Sequence, residues 1–341
     1  MTVRLLTLLL FPVLALAKPP AWDVNDPPGE RLRIPIDTRT GTWMSVDVSP
    51  DGKHIAFDLL GDLYELPISG GNARRLTQGL AWDMQPRYSP DGKHLAFTSD
   101  RGGADNLWIL PLGSGGQKKP RALTREEFRL LSNPAWHPGG RFVAGRKHFT
   151  TRRSLGTGEI WLYDRLGGKG IAVVERPNDR FQKELGEPVF SNDGRYLFYT
   201  QNTSPGNVFE YAQDPNSGVF SILRFDLERR ETDTVITGAG GAVRPTPSPD
   251  GRLLAFVQRE RRYETQDERK VERLQSALYV KDLVSGAERR LFGPLDRDMQ
   301  EGWAVHGVYP NMAWLPDSSA LIFWSGGEIH RVDLESRTTR T

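Results

Sequence analysis

The chain has 341 residues, 38% of them hydrophobic and 10% aromatic, which is ample apolar material for a packed core. The formal charge is only +2 and basic residues are dispersed among acidic ones, so nothing in the charge pattern points to a nucleic-acid partner. There is no cysteine, which excludes disulfides, thiol catalysis and a cysteine metal site.

Residues 1–17 read MTVRLLTLLLFPVLALA: one arginine, an apolar run, then a small-residue ending. This pattern predicts a secretory signal peptide cleaved after Ala17, and the run is too short for an ordinary membrane span. The expected location is periplasmic or secreted, with no stable membrane span after cleavage. Residues 18–30 (KPPAWDVNDPPGE) predict a Pro-rich, extended lead-in, and residues 30–38 (ERLRIPIDT) read as a strand.

From Ser49 onward one phrase recurs. SPDGKHIAF (49–57) returns as SPDGKHLAF (89–97), then more loosely as HPGGRFVAG (137–145), SNDGRYLFY (191–199), SPDGRLLAF (248–256) and LPDSSALIF (315–323). The first residues lie 40, 48, 54, 57 and 67 apart, a repeat period that marks a stamped-out structural unit, not a catalytic loop. Proline sets the turn, Asp bonds nearby backbone and Gly takes the left-handed position, so each phrase predicts a hairpin turn entering a short buried strand. A second alternating segment follows each copy, as in DLYELPISGG (62–71) and NLWILPLGSGG (106–116), and a fourth short element such as ARRLT (73–77) follows in several units. With the short strand before each turn, a unit holds four strands.

The expected fold is therefore all-β: a β-propeller of six four-stranded blades spanning 31–341, with blade cores at 42–77, 82–124, 132–175, 186–236, 243–292 and 309–341. Insertions at 146–157, 201–219 and 258–275 account for the growing spacing, the last being a charged excursion readable as a short helix or a long hairpin. Residues 30–38 are expected to add the outer strand of blade six and close the ring; the alternative is that the natural chain continues past Thr341.

No catalytic set is spelled out. There is no G-x-S-x-G, no phosphate loop, no H-x-H or H-E-x-x-H among His54, His94, His137, His148, His306 and His330, and no Asp-x-Asp-x-Asp calcium loop. The expectation is no catalytic residue, no metal and no cofactor. Asp51, Asp91, Asp193 and Asp250 read as turn residues. Arg146, Lys147 and His148, at the start of the blade-three insertion, are the one candidate surface-binding group, against a plain solvated cluster. Trp43, Trp82-Asp83, Trp136 and Trp314 read either as ligand-stacking positions or as packing between blades.

The recurring SPDGK-x-[IL]-AF resembles the TolB-type, WD-like propeller repeat over nearly all of the chain after residue 30. More narrowly, residues 42–71, 79–92 and 128–164 resemble the N-terminal propeller of exported, TolB-like amidohydrolases. In that family a metal-dependent barrel follows the propeller, and its His-x-His and later His and Asp ligands have no counterpart here, so no catalytic residue carries over. The resemblance implies a non-catalytic module that scaffolds, gates or binds substrate or partner for an amidohydrolase-like protein. The alternative is a stand-alone TolB-like periplasmic propeller that docks envelope proteins. The partner is then a hydrolase domain or envelope protein, or a peptide or small molecule at the axial opening.

Overall fold

The computed structural model describes residues 22–113, 119–150, 156–210, 212–266, 269–302, 304–336 and 338–341. The signal-peptide segment lies outside the described residues. Among the described residues, twenty-four strands form six four-stranded antiparallel sheets, each built from consecutive strands in order. Blade one is Val46–Val48, His54–Leu59, Asp62–Pro67 and Arg74–Arg75. The others run over 83–122, 131–174, 185–236, 243–292 and 313–340. The first strands of successive blades touch in a ring, and the first strand of blade six touches that of blade one.

The turn phrase shows its chemistry in the hydrogen bonds. Ser89 Oγ donates to Asp91 Oδ1 (2.5 Å) and accepts the His94 amide (3.0 Å), while Asp91 also accepts the Lys93 amide (3.0 Å). The set repeats at Ser49, Ser191 and Ser248. Each Ser hydroxyl holds its Asp below the usual carboxylate range, at Asp51, Asp91, Asp193 and Asp250. The glycine after Asp has positive φ (67° at Gly92), which a residue with a Cβ adopts only under strain.

The core is not one mass. It is a series of apolar seams between neighbouring sheets. One seam joins Ala56 and Leu63 of blade one to Leu95 and Phe97 of blade two; another joins Phe198 and Ile222 of blade four to Leu254 and Phe256 of blade five. A third runs through blades five, six and one, taking in Val257, Val280, Phe323, Trp324, Val46 and Phe57.

That last seam corrects the expected closure. Residues 30–38 form no strand, and Leu32, Ile34 and Ile36 are 89%, 73% and 62% exposed. The outer strand of blade six is Thr339–Arg340, with Thr339 opposite Val332. The ring closes by side-chain packing and by short ties at the blade ends. Trp324 Nε1 donates to the Gly41 carbonyl (2.8 Å), and the Gly41 amide donates to Gly327 (2.8 Å).

Two of the three insertions lengthen hairpins; the third, 201–219, is mainly a non-strand connection between Asn202 and Phe220 that carries a short 3-10 turn at Pro215–Ser217. In blade five, Leu253–Gln266 and Arg269–Asp282 pair over fourteen residues each, so the charged excursion is a long two-stranded arm. In blade three, Phe142–Thr150 pairs with Gly156–Asp164; residues 151–155 lie outside the described residues.

Candidate axial binding site

Four blades share a feature of the innermost strand. Gln85, Asn133, Glu187 and Arg244 each stand four residues before the turn phrase, each precedes a proline, and each has φ between 54° and 59°. Proline has no N–H for the ladder, and the pairing register shifts at each of these dipeptides. A bulge of this kind leaves an amide unpaired and re-aims a side chain. The neighbouring blade accepts the orphan amide: Asp58 Oδ2 takes the Gln85 N–H (2.6 Å), Gln85 Oε1 that of Asn133 (2.8 Å), and Glu187 Oε2 that of Arg244 (2.7 Å).

With Ser45 and Asn311 at the same repeat position, these residues make a ring of six buried polar side chains, none more than 4% exposed. Arg244 lies at its centre of charge. Its guanidinium pairs with Glu187 Oε1 (2.8 Å) and donates from Nη1 to Asn311 Oδ1 (2.5 Å) and Asn133 Oδ1 (3.4 Å). Burial lowers Arg244 to about 10, and Glu187 opposes that shift. Asp58 accepts the Ser45 amide on its other oxygen (2.7 Å), yet burial pushes its carboxyl up to about 7 against these amide bonds.

A segment from the long connection between blades five and six lies across one end of this ring. Glu187 Oε1 accepts the Val308 amide (2.6 Å), and Ser132 Oγ donates to the Val305 carbonyl (2.8 Å). Gln85 Nε2 donates to the His306 carbonyl, and His306 Nε2 lies 2.9 Å from Asp105 Oδ2. Residues 304–309 therefore touch blades two, three, four and five. A Cβ on Gly307 would sit 2.2 Å from Arg244 Nη2, so this position takes only glycine. The segment is a plug.

The opposite end, where the turn phrases cluster, is open. It forms a cavity of about 310 Å3 that all six blades line, with Pro50, Pro90, Pro138 and Pro249 around it and Trp136, Phe190 and Trp314 within it. The polar floor is the Arg87–Asp47 pair (3.3 Å); Asp47 also accepts the Tyr88 amide (2.6 Å). Burial raises the Asp47 carboxyl, and Arg87 works against it. The arrangement offers apolar and aromatic walls, a charged pair and a closed far end. It suits an inserted side chain or extended segment entering from the open end.

The candidate surface group is corrected by burial. Arg146, Lys147 and His148 belong to the second strand of blade three and are 0%, 8% and 3% exposed. Arg146 Nε donates to Glu184 Oε1 (2.7 Å) and to the Leu185 carbonyl (3.0 Å), pinning blade three to blade four. Burial lowers His148 to about 3, with Arg146 adding to the effect, and raises Glu184, which Arg146 opposes. Lys147 Nζ pairs with Glu126 (2.6 Å) and sits 4.2 Å above the Trp161 ring. Neither a solvated cluster nor an exposed docking group describes these three residues.

Trp136 and Trp314 prove to be packing ties that also wall the mouth: their indoles donate to the Arg87 and Thr246 carbonyls of the preceding blade (3.1 and 2.9 Å). Trp43 packs 6.0 Å from Trp324, while Trp82 is 52% exposed. Sequence reasoning missed the axial ring and the plug. The recurring signal for the ring is the polar residue before proline in QPRYSPDG, NPAWHPGG, EPVFSNDG and RPTPSPDG. Among the described residues, no group of three or more His, Cys, Asp or Glu could hold a metal ion, and no helix is long and apolar enough to cross a membrane.

No family model matches the chain. A curated relative, the Tol-Pal system protein TolB of Helicobacter hepaticus, is 26% identical over 157 residues, 45% of this chain and 35% of that protein. The match thus spans about a third of the relative's length. Among solved structures, putative TolB from Agrobacterium tumefaciens superposes with a TM-score of 0.55 at 21% identity, covering 81% of this chain and 87% of that one. TolB from Acinetobacter baumannii gives 0.60 at 14% identity, covering 87% and 62%. Oligogalacturonate lyase from Vibrio parahaemolyticus gives 0.54 at 14% identity, covering 88% and 92%. At these identities the shared feature is architecture, which the TolB proteins and a lyase have in common. The chain is a TolB-like, six-bladed β-propeller.

Proposed function

We propose that the chain is a non-catalytic, exported protein-interaction module that takes a segment of a partner protein into the open axial mouth. The observation that carries this reading is the mouth itself, a cavity of about 310 Å3 that all six blades line and the plug closes behind. Its volume is at the small end of the range for ligand sites, which suits a few anchoring side chains of a protein. The signal-peptide pattern of residues 1–17 and the Tol-Pal name of the Helicobacter relative support an envelope setting. The resemblance to amidohydrolase-linked propellers makes a hydrolase domain the first partner to offer; envelope proteins are the second.

A photo-crosslinking amino acid at exposed Asn192, on the rim of the mouth, tests the proposal against the same group at exposed Val284, away from it. Adducts with one defined protein at position 192, absent at 284 and lost when Ala135→Trp fills the mouth, are expected. Equal yields from both positions would refute docking at the mouth.

A further inference from the structure

On the face that carries the plug, blades one and two enclose a second, smaller cavity of about 130 Å3, and Trp43, Asp58, Trp82, Asp83, Gln85 and His306 are among its lining residues. It is several times the ~30 Å3 share of one water molecule, and well below the size of a drug-like site. It has room for a head group.

Its chemistry is one-sided. Asp58 lines the cavity at 8% exposure. Asp83 is 1% exposed; one of its carboxylate oxygens holds Arg101, and the other, Oδ1, is buried with no hydrogen-bond partner. Asp100 holds the Trp82 amide (2.7 Å), Asp105 holds His306, and Asp62 holds Arg75. Five carboxylates thus stand at this end of blades one and two against two guanidiniums, Arg75 and Arg101. The cavity's lining includes exposed apolar groups, Leu60 (59%) and Trp82 (52%). The Trp82 ring is set against Gly61, where a Cβ would come within 3.0 Å of it.

We propose that this cavity binds a small organic cation of the guanidinium or primary-ammonium class, with Asp58 and Asp83 facing the charge and Trp82 covering it. An aromatic face attracts a cation, and a planar guanidinium both stacks on indole and bonds carboxylates side by side. The buried, unpartnered Asp83 oxygen is the acceptor that a cationic donor satisfies. The site is separate from the axial mouth, from which the ring and the plug divide it, so it stands whether or not the mouth binds protein.

The test uses the full chain carrying 5-fluorotryptophan, with the resonances of Trp43 and Trp82 assigned by Trp43→Phe and Trp82→Phe. Titration with ethylguanidinium at millimolar concentration is expected to move these two 19F resonances saturably and to leave the remaining tryptophans in place. N-ethylurea, its neutral isostere, is expected to move neither. At pH 8, where the raised Asp58 carboxyl is ionised, Asp58→Asn should weaken binding about tenfold or more, the effect of losing one charged partner. Because Asp58 also holds two backbone amides, Trp82→Ala is the second variant, read on the Trp43 resonance. Its indole is exposed and makes no hydrogen bond, so the thermal midpoint should stay near that of the parent while affinity falls about fivefold. An acetyl-Ala-Arg-Ala amide that binds tighter than ethylguanidinium assigns the cation to a protein side chain; one that binds equally or less tightly assigns it to a free small molecule. Equal binding of N-ethylurea, unsaturable shifts across all tryptophans (an adventitious additive only), or unchanged affinity in Trp82→Ala would overturn the proposal.

Discussion

Glu187 and Arg244, both buried, join the innermost strands of blades four and five through one carboxylate that does three things. Oε1 meets the Arg244 guanidinium at 2.8 Å, Oε2 accepts the Arg244 amide at 2.7 Å, and Oε1 also accepts the Val308 amide at 2.6 Å. The first bond balances a buried charge, the second satisfies an amide freed by a bulge, and the third fastens the plug. Ring and plug therefore share a fastening, and the predictions begin from it.

Removing one member of this pair leaves the other charge buried and uncompensated. Glu187→Gln or Arg244→Gln is expected to cost about 3–5 kcal/mol, measured by urea denaturation. The double variant should cost clearly less than the sum of the two, because the residues are in direct contact. Additive losses would show that the contact carries no coupling.

Gly307 and Gly70 make a matched comparison, since both have positive φ (103° and 83°). Around Gly70 a Cβ meets nothing within 4 Å, so Gly70→Ala should cost only the backbone strain, about 1–2 kcal/mol. At Gly307 the Cβ overlaps Arg244 Nη2, and Gly307→Ala should cost more and raise amide exchange at Val308 and Tyr309. Equal costs would show that the plug is not seated on the ring.

Asp58 gives a pH signature with a definite sign. Burial raises its carboxyl from 3.8 to about 7, so between these limits the folded chain holds a proton that the unfolded chain has released. Its contribution makes the fold most stable at the acid end of that window, and stability falls as pH rises through about 7. Unfolding free energies at pH 5, 6, 7 and 8 should decline more steeply in the parent than in Asp58→Asn. Parallel profiles would show that Asp58 keeps an ordinary pKa.

The turn phrase is tested at Ser89, whose hydroxyl makes two bonds while the residue is 1% exposed. Ser89→Ala should cost about 1–3 kcal/mol and speed exchange of the His94 amide, now without its acceptor. An unperturbed His94 amide would mean the hydroxyl is dispensable.

The fold was legible because one nine-residue phrase, repeated six times, fixes a turn and a strand in each blade. The blade limits read from it fall within a few residues of the observed ones, as with 243–292 in blade five. Ring closure was not legible. ERLRIPIDT has strand composition, but which edge is free depends on packing in blade six, where 339–340 already pairs with 331–332. A cationic stretch suggests a solvent-facing group, whereas Arg146 is buried. Repeat alignment agrees with burial: Arg146 occupies the place of Asp58, Thr98 and Thr200, all buried. The axial ring was present as four polar-Pro dipeptides. Their meaning needed the bulge, which periodicity alone does not reveal. The plug carries no repeat at all, and only its contacts identify it.

A wheel open at one end and plugged at the other is the central claim, and the natural absence of cysteine allows a direct measurement. Val189→Cys places a single thiol in the mouth, and Val308→Cys places one within the plug, where Val308 is buried. Under native conditions the first should react with a small maleimide rapidly, and the second only at the rate of global unfolding. Fast labelling at both positions would show a tunnel open from end to end and contradict the account.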